Sequence, residues 1–223
     1  MSTRNYEDAC GIARSLDVIG ERWALLVVRE LVFGPKRFTD LRAGLKGISQ
    51  NVLSQRLRDL EAAGIVRRTL LGPPASTRAY ELTTLGHELE PVLVAMSRWG
   101  ARTPVPEGAE MSNDAFALAL KSLFVPSPGA AGFRGRARVQ LVRDAFDVEI
   151  GADEAAGAGA DRIDVARAAG PDPSLVIEGA ESTLRAVMFG RRTLPAALRA
   201  GDLRIEGDAG EASAFLARFA LPD

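Results

Sequence analysis

In the stretch 47–68, Leu53, Leu57 and Leu60 recur at spacings of four and three, which is one face of a helix. Ser49 is placed to accept a hydrogen bond from a free backbone N–H of the first turn, and Gly64 suits the left-handed residue that ends many helices. The pattern predicts a helix over 49–63 whose leucine face is buried. Asn51, Ser54, Gln55 and Arg58 fall on the opposite side, with Ser49 and Gln50 at its start. Solvated helix faces usually carry Glu and Lys. This one carries amides, hydroxyls and arginine, the groups that bond base edges and phosphates.

Upstream, Ile12, Leu16 and Ile19 predict a helix over 9–19, and an apolar helix over 23–33 closes at Gly34-Pro35. A shorter helix is expected from Thr39, as its cap, to Leu45, with Phe38, Leu41 and Leu45 on the core side. Gly44 and Gly47 lie in or beside its connection to the Ser49 helix, and two helices joined this way make a helix-turn-helix. Downstream, residues 65–70 read as a strand, 72–77 as a loop, and 78–82 as a return strand of alternating polar and apolar side chains. Such a hairpin is a wing, with Arg67, Arg68 and Arg78 on its arms or near its tip, placed to neutralise phosphates. Thr83-Thr84 open a further helix to about Trp99, which Pro91 allows only with a kink or a break.

Residues 103–108 are too rich in proline for a helix interior and read as a linker. The chain therefore divides into 1–102, a linker over 103–111, and a second domain over 112–223. In the second, Asn113 is expected to cap a helix to Phe124, which Pro126-Ser127-Pro128-Gly129 breaks. Strands are predicted at 138–142, 146–150, 162–165 and 174–178. The Gly/Ala-rich stretch 151–160 predicts no element. Helices at 181–189 and 194–199, a strand at 202–206 and a closing helix at 211–219 complete an α+β domain with helices packed on a sheet.

Composition changes this picture only slightly. The 223 residues are 47% hydrophobic and 26% charged, which describes a folded, soluble chain. No apolar run approaches the ~20 residues of a membrane helix. The N-terminal residues lack the apolar core of a signal peptide. A single cysteine allows no internal disulfide framework, and a cytoplasmic location is expected. Charge adds more. The net value of −1 conceals 14 Lys/Arg against 11 Asp/Glu in residues 1–100, and 14 against 18 in residues 101–223. Within 36–78 there are nine basic and three acidic residues, so positive charge gathers around the Ser49 helix, as phosphate contact requires. A solvated basic surface reads the same way on charge alone.

Cys10…Leu16…Ile19-Gly20-Glu21-Arg22-Trp23, Arg37-Phe38-Thr39-Asp40-Leu41, Gly47-Ile48-Ser49…Leu53…Leu57…Leu60-Glu61-Ala62-Ala63-Gly64-Ile65-Val66 and Tyr80-Glu81-Leu82-Thr83…Gly86 together resemble the HxlR-type winged helix-turn-helix transcriptional regulators. The resemblance covers about residues 8–100. It implies a homodimer in which the first and last helices of the domain pair. Each recognition helix would then enter a major groove of a roughly palindromic site on double-stranded DNA. The expected DNA-facing residues are Arg37, Thr39, Ser49, Gln50, Asn51, Ser54, Gln55, Arg58, Arg68 and Arg78. Surface charge, or an intrahelical pair such as Arg58 with Glu61, is the competing reading of the arginines, Arg56 included. Gly11 departs from the proline usual in the family after the cysteine. That affects how the chain enters the helix and not the DNA face.

Residues 197–208, followed by a helix ending Phe215…Phe219, make 112–221 similar to the sterol-carrier-protein-like lipid-binding domains. That resemblance implies an apolar tunnel between sheet and helices, taking a small apolar or amphipathic effector. Its candidate lining is Leu184, Val187, Met188, Phe189, Phe215, Leu216 and Phe219, all of which also suit plain core.

Catalysis finds little support. His87 is the only histidine, no Gly-rich phosphate loop or nucleophile elbow occurs, and one cysteine with one histidine cannot build a structural zinc site. No cofactor is implied. Cys10 is a candidate redox or electrophile sensor, since some regulators of the resembled type use a cysteine there and a helix N-terminus favours thiolate; a small buried apolar residue is the alternative. These features read as a dimeric, ligand-responsive DNA-binding regulator. A lipid or small-molecule carrier using the helix-turn-helix as an interaction platform is the alternative, and a second domain that only stabilises the dimer is a third.

Overall fold

The computed structural model describes residues 5–72, 76–106, 108–126, 132–152 and 161–222. The chain divides into two compact units, Met1–Leu93 and Val94–Asp223. Part of the expected wing loop, part of the linker and break, and most of the Gly/Ala-rich stretch lie outside the described residues.

The first unit runs α1 (Gly11–Ile19), α2 (Ala24–Leu31), α3 (Phe38–Gly44), α4 (Gln50–Ala62), β1 (Val66–Leu71), β2 (Thr77–Leu82) and α5 (Thr84–His87), with α6 (Glu90–Gly100) crossing into the second. Its core is aliphatic: Val27, Val28 and Leu31 of α2, Leu41 of α3, and Leu53, Leu57 and Leu60 of α4 are all buried. Burying each such side chain contributes about 1.5–3 kcal/mol, so the leucine face is what anchors α4. The strands β1 and β2 pair antiparallel from Val66↔Leu82 to Leu71↔Thr77. A bridge between Lys36 and Tyr80 adds the α2–α3 connection to the same hairpin.

Several boundaries differ from expectation, each for a local reason. Helix α2 begins at Ala24 because Trp23 has a left-handed backbone, with φ at +81°. Helix α3 begins at Phe38, because the residue with extended backbone ahead of the first turn is Arg37. Thr39 therefore lies inside the first turn instead of capping it. The helix expected from Thr83 breaks after His87 and restarts at Glu90, so Pro91 sits in a first turn, where its missing N–H costs nothing.

Thr83 explains the Thr83…Gly86 spacing. Its hydroxyl donates to the Gly64 and Ile65 carbonyls at 2.6 and 3.2 Å and accepts from Gly86 N–H at 3.1 Å. A Cβ at Gly86 would meet the Ile65 carbonyl oxygen at 2.3 Å, so only glycine lets α5 lie this close to the root of the wing. A buried carboxylate completes the unit. Glu30 receives Arg29 at 2.8 Å and Lys36 at 2.9 Å, tying the end of α2 to the segment that enters α3.

In the second unit α7 (Asn113–Leu123) precedes a five-stranded sheet of β3 (Gly135–Gln140), β4 (Ala145–Ala152), β5 (Asp161–Arg167), β6 (Leu175–Gly179) and β7 (Leu203–Glu206). The order is β5-β4-β3-β6-β7, antiparallel throughout except for the parallel β3–β6 pair. Between β6 and β7 the chain forms α8 (Glu181–Met188) and α9 (Leu194–Arg199), and α10 (Ala209–Leu216) follows β7. On β4, Phe146, Val148 and Ile150 are buried while Glu149 is exposed, the alternation of a strand with one covered face. Helix α7 packs against β5 and α10 against β6, so this unit has the expected α+β architecture. The α7 cap is Ser112, whose hydroxyl accepts from Ala115 N–H at 3.1 Å; Asn113 is the first helical residue and donates its amide to Asp144 at 2.7 Å.

A buried ion cluster joins distant parts of this unit. Asp161, at the start of β5, has a fully buried carboxylate that accepts from Arg218 at 2.5 Å and from Arg134 at 2.7 Å. Arg218 also lies over the Phe124 ring, 5.0 Å from its centroid.

Candidate nucleic-acid interface

Helix α4 begins as its sequence requires. Ser49 has extended backbone and its hydroxyl accepts from Val52 N–H at 3.3 Å, while Gly64 takes φ of +72° just past the last turn. The leucine face is sealed against the core. What remains outward is Gln50, Asn51 and Arg58, exposed, with Ser54, Gln55 and Arg56 half-buried beside them.

The competing reading holds for Arg56, which pairs within the helix with Asp59, but the Arg58–Glu61 pair given as its example does not form. Arg58 donates to the Oε1 of Gln55 at 2.7 Å, and Glu61 instead receives Arg68 from the wing at 3.0 Å. Arg56 lies 3.2 Å from Asp59 and 3.6 Å from Glu21, which marks it as a brace for the helix. Arg67, on the other face of β1, pairs with Glu81 across the strands at 2.8 Å. Such exposed pairs are worth only ~0–1 kcal/mol, so an incoming phosphate can displace them at little cost.

Arg37, at the head of α3, and Arg78, on β2, are exposed and carry no side-chain partner among the described residues. Thr39 is exposed next to Arg37. Arg78 faces Leu70 in the hairpin register, and an open groove there is lined by Arg68, Thr69, Leu70 and Arg78. Helix α4, the head of α3 and the wing thus present amides, hydroxyls and guanidinium groups, which can donate to phosphate and bond base edges.

Elsewhere the expected residues are distributed differently. Leu184, Phe215, Leu216 and Phe219 are buried, and Phe215 meets Phe133 and Phe219 edge to face at 5.3 and 5.2 Å. Burial of these four suits plain core and the lining of an enclosed apolar tunnel alike. Val187, Met188 and Phe189 at the end of α8 are half-buried and keep accessible apolar surface. Cys10 is exposed ahead of α1, with its N–H bonded to Asp8 at 2.8 Å. Sequence reasoning missed Glu30 and Asp59: Glu30 is a lone acid in an apolar helix and Asp59 one of few in a basic stretch, and their bonds to Lys36 and Gln55 depend on rotamers. Among the described residues no group of His, Cys, Asp and Glu could hold a metal ion, and no helix is long and apolar enough to cross a membrane.

This arrangement is that of a winged helix-turn-helix DNA-binding domain. The HxlR-like helix-turn-helix family matches residues 18–107. The uncharacterized HTH-type transcriptional regulator YkvN of Bacillus subtilis is 37% identical over 102 residues, which is 46% of this chain and 86% of that protein. The uncharacterized HTH-type transcriptional regulator sll1512 of Synechocystis sp. is likewise 37% identical, over 103 residues, 46% of this chain and 76% of that protein. Among solved structures, quinone-bound YodB of Bacillus subtilis is 32% identical over 41% of this chain and 97% of its own, with a TM-score of 0.36. The chain belongs to the HxlR-like helix-turn-helix family and is a transcriptional regulator of that type.

Proposed function

We propose that the protein is a cytoplasmic homodimeric regulator. It would place α4 in the major groove of double-stranded DNA and lay the β1–β2 wing along the phosphate backbone, and its C-terminal unit would bind a small apolar or amphipathic effector. The observation that carries this reading is the polar face of α4. Its outward residues are those that bond base edges, and Arg37, Arg68 and Arg78 flank them where phosphates would run. Ser49 and Thr39 position at the groove edge, while Gln50, Asn51, Ser54 and Gln55 face base edges.

Dimerisation is supported by apolar side chains left uncovered on two helices. On α1, Ile12 is 73% exposed and Leu16 lies one turn on; on α6, Val92, Met96 and Trp99 follow at helical spacing, with Trp99 70% exposed. Apolar surface of this kind marks an interaction face. Replacing Trp99 by Glu is expected to convert the dimer to monomer in light scattering, with the circular dichroism of the wild type retained. A monomeric wild type at micromolar concentration contradicts the dimer.

An effector that prefers one arrangement of the paired recognition helices shifts the population and so changes DNA affinity. Val187, Met188 and Phe189 are the accessible candidates for its contact surface. Mass spectrometry of organic extracts of the purified protein tests the input. A co-purifying small apolar molecule that changes promoter affinity supports the reading. A molecule that binds with no effect on DNA affinity points instead to a carrier. Cys10 is a second input favoured by its exposure: a thiol reagent should label the native protein, and labelling only after denaturation removes that role.

A further inference from the structure

A continuous chain of side-chain contacts runs onto the polar face of α4 from outside it. Glu21 lies 3.6 Å from Arg56, and Arg56 lies 3.2 Å from the Oδ2 of Asp59. The Oδ1 of Asp59 accepts from the Nε2 of Gln55 at 2.7 Å, and the Oε1 of Gln55 accepts from Arg58 at 2.7 Å. A carboxylate can only accept and a guanidinium can only donate, so the Gln55 amide fits between them in one orientation. Asp59 is held in turn by Arg56, whose side chain is only 14% exposed. The orientation is therefore set from the body of the helix and not by solvent.

Each end of that amide keeps half of its capacity. Nε2 retains one N–H and Oε1 retains one lone pair. In the major groove adenine offers an acceptor, N7, beside a donor, N6. Guanine offers two acceptors, cytosine a donor, and thymine an acceptor beside a methyl group. Adenine alone matches both remaining valences of the amide.

We infer that Gln55 is the residue that reads an adenine in each half-site, and that Asp59 is the positioning residue that holds the Gln55 amide in the reading orientation. This rests on α4 being the recognition helix. Replacing that adenine by another base lowers affinity by about 5- to 150-fold, the range for removing a bidentate amide–adenine pair. Asp59 also brings negative charge to a face that meets phosphates. Its removal flattens the choice at that one position, while relief of that charge acts on all sequences alike. A purely structural role predicts weaker binding to all sequences alike.

The test is selection from a randomised duplex library by the full-length wild type and by the Gln55→Ala and Asp59→Ala variants, followed by titration of single-base variants of the selected site. The expected result is an adenine in each wild-type half-site that Gln55→Ala no longer distinguishes, and whose discrimination, read as the ratio of affinities for adenine and the other bases at that position, Asp59→Ala reduces. A wild-type motif that Gln55→Ala leaves unchanged overturns the inference while preserving the reading of α4. So does an Asp59→Ala variant with full adenine preference, for the positioning role. If the wild type enriches no duplex at all, both the inference and the reading of α4 fail.

Discussion

Replacing Asn51, Gln55 and Arg58 together by alanine is expected to abolish specific promoter binding while the protein stays folded and dimeric. The three side chains lie on the outward face of α4, and none belongs to the buried leucine face. A bidentate bond to a base edge is worth about 1–3 kcal/mol of discrimination. Removing all three side chains therefore costs about 3 kcal/mol or more, roughly a hundredfold or greater fall in affinity. Alanine is also a better helix former than asparagine, so α4 itself is not weakened. Electrophoretic retardation of a promoter fragment, with circular dichroism as the control for folding, measures the effect. Promoter binding within a few-fold of wild type removes α4 from the interface.

The second large effect is on stability, in the C-terminal unit. Asp161→Ala takes from Arg218, whose side chain is only 4% exposed, the carboxylate it pairs with, and removes a partner of Arg134 as well. Breaking a buried pair from one side costs about 3–5 kcal/mol, because the remaining charge stays uncompensated. The hydrogen bond from Arg218, opposed by burial and aided by Arg134, holds the Asp161 carboxyl below the usual carboxylate range. Its contribution to stability is therefore complete above the ordinary aspartate pKa of about 3.9 and is lost as pH falls through the lower folded value. Urea unfolding should give a wild-type midpoint that this group leaves unchanged between pH 7 and 5 and that drops below about pH 4. The Asp161→Ala variant should be destabilised at neutral pH and lack this part of the acid response. A variant as stable as wild type at pH 7 shows that the cluster contributes no net stability.

Local signals carried much of this fold. Ser49 and Gly64 bracket α4 because capping and the left-handed stop are properties of the residues themselves, and the strands of the second unit follow from alternation along each segment. The misplaced caps mark where such signals stop. Thr39 and Asn113 are good capping residues, but the cap is whichever residue holds extended backbone before the first turn. Arg37 and Ser112 hold it here. The pairs that matter most to the site were not legible. Arg58 with Gln55 and Arg68 with Glu61 depend on rotamers and on where the wing returns, which spacing along one helix does not encode. The Asp161–Arg218 pair joins residues 57 apart in the chain, and no periodicity links them. For the seven candidate lining residues, hydrophobicity alone could not separate packed core from accessible surface. Phe215 and Phe219 pack edge to face and Leu184 and Leu216 are buried, whereas the end of α8 keeps accessible apolar surface.

The central claim is that paired α4 helices read double-stranded DNA. Hydroxyl-radical and methylation-interference footprinting of the full-length protein on the DNA upstream of its own gene, at low salt, tests it most directly. Two symmetric patches of major-groove contact are expected, about one helical turn, ~34–36 Å, apart, or a multiple of that. Flanking backbone protection by the wings should weaken as salt is raised. A protein that protects no site on any fragment at low salt, or whose footprint is unchanged when the α4 face is replaced by alanine, contradicts it.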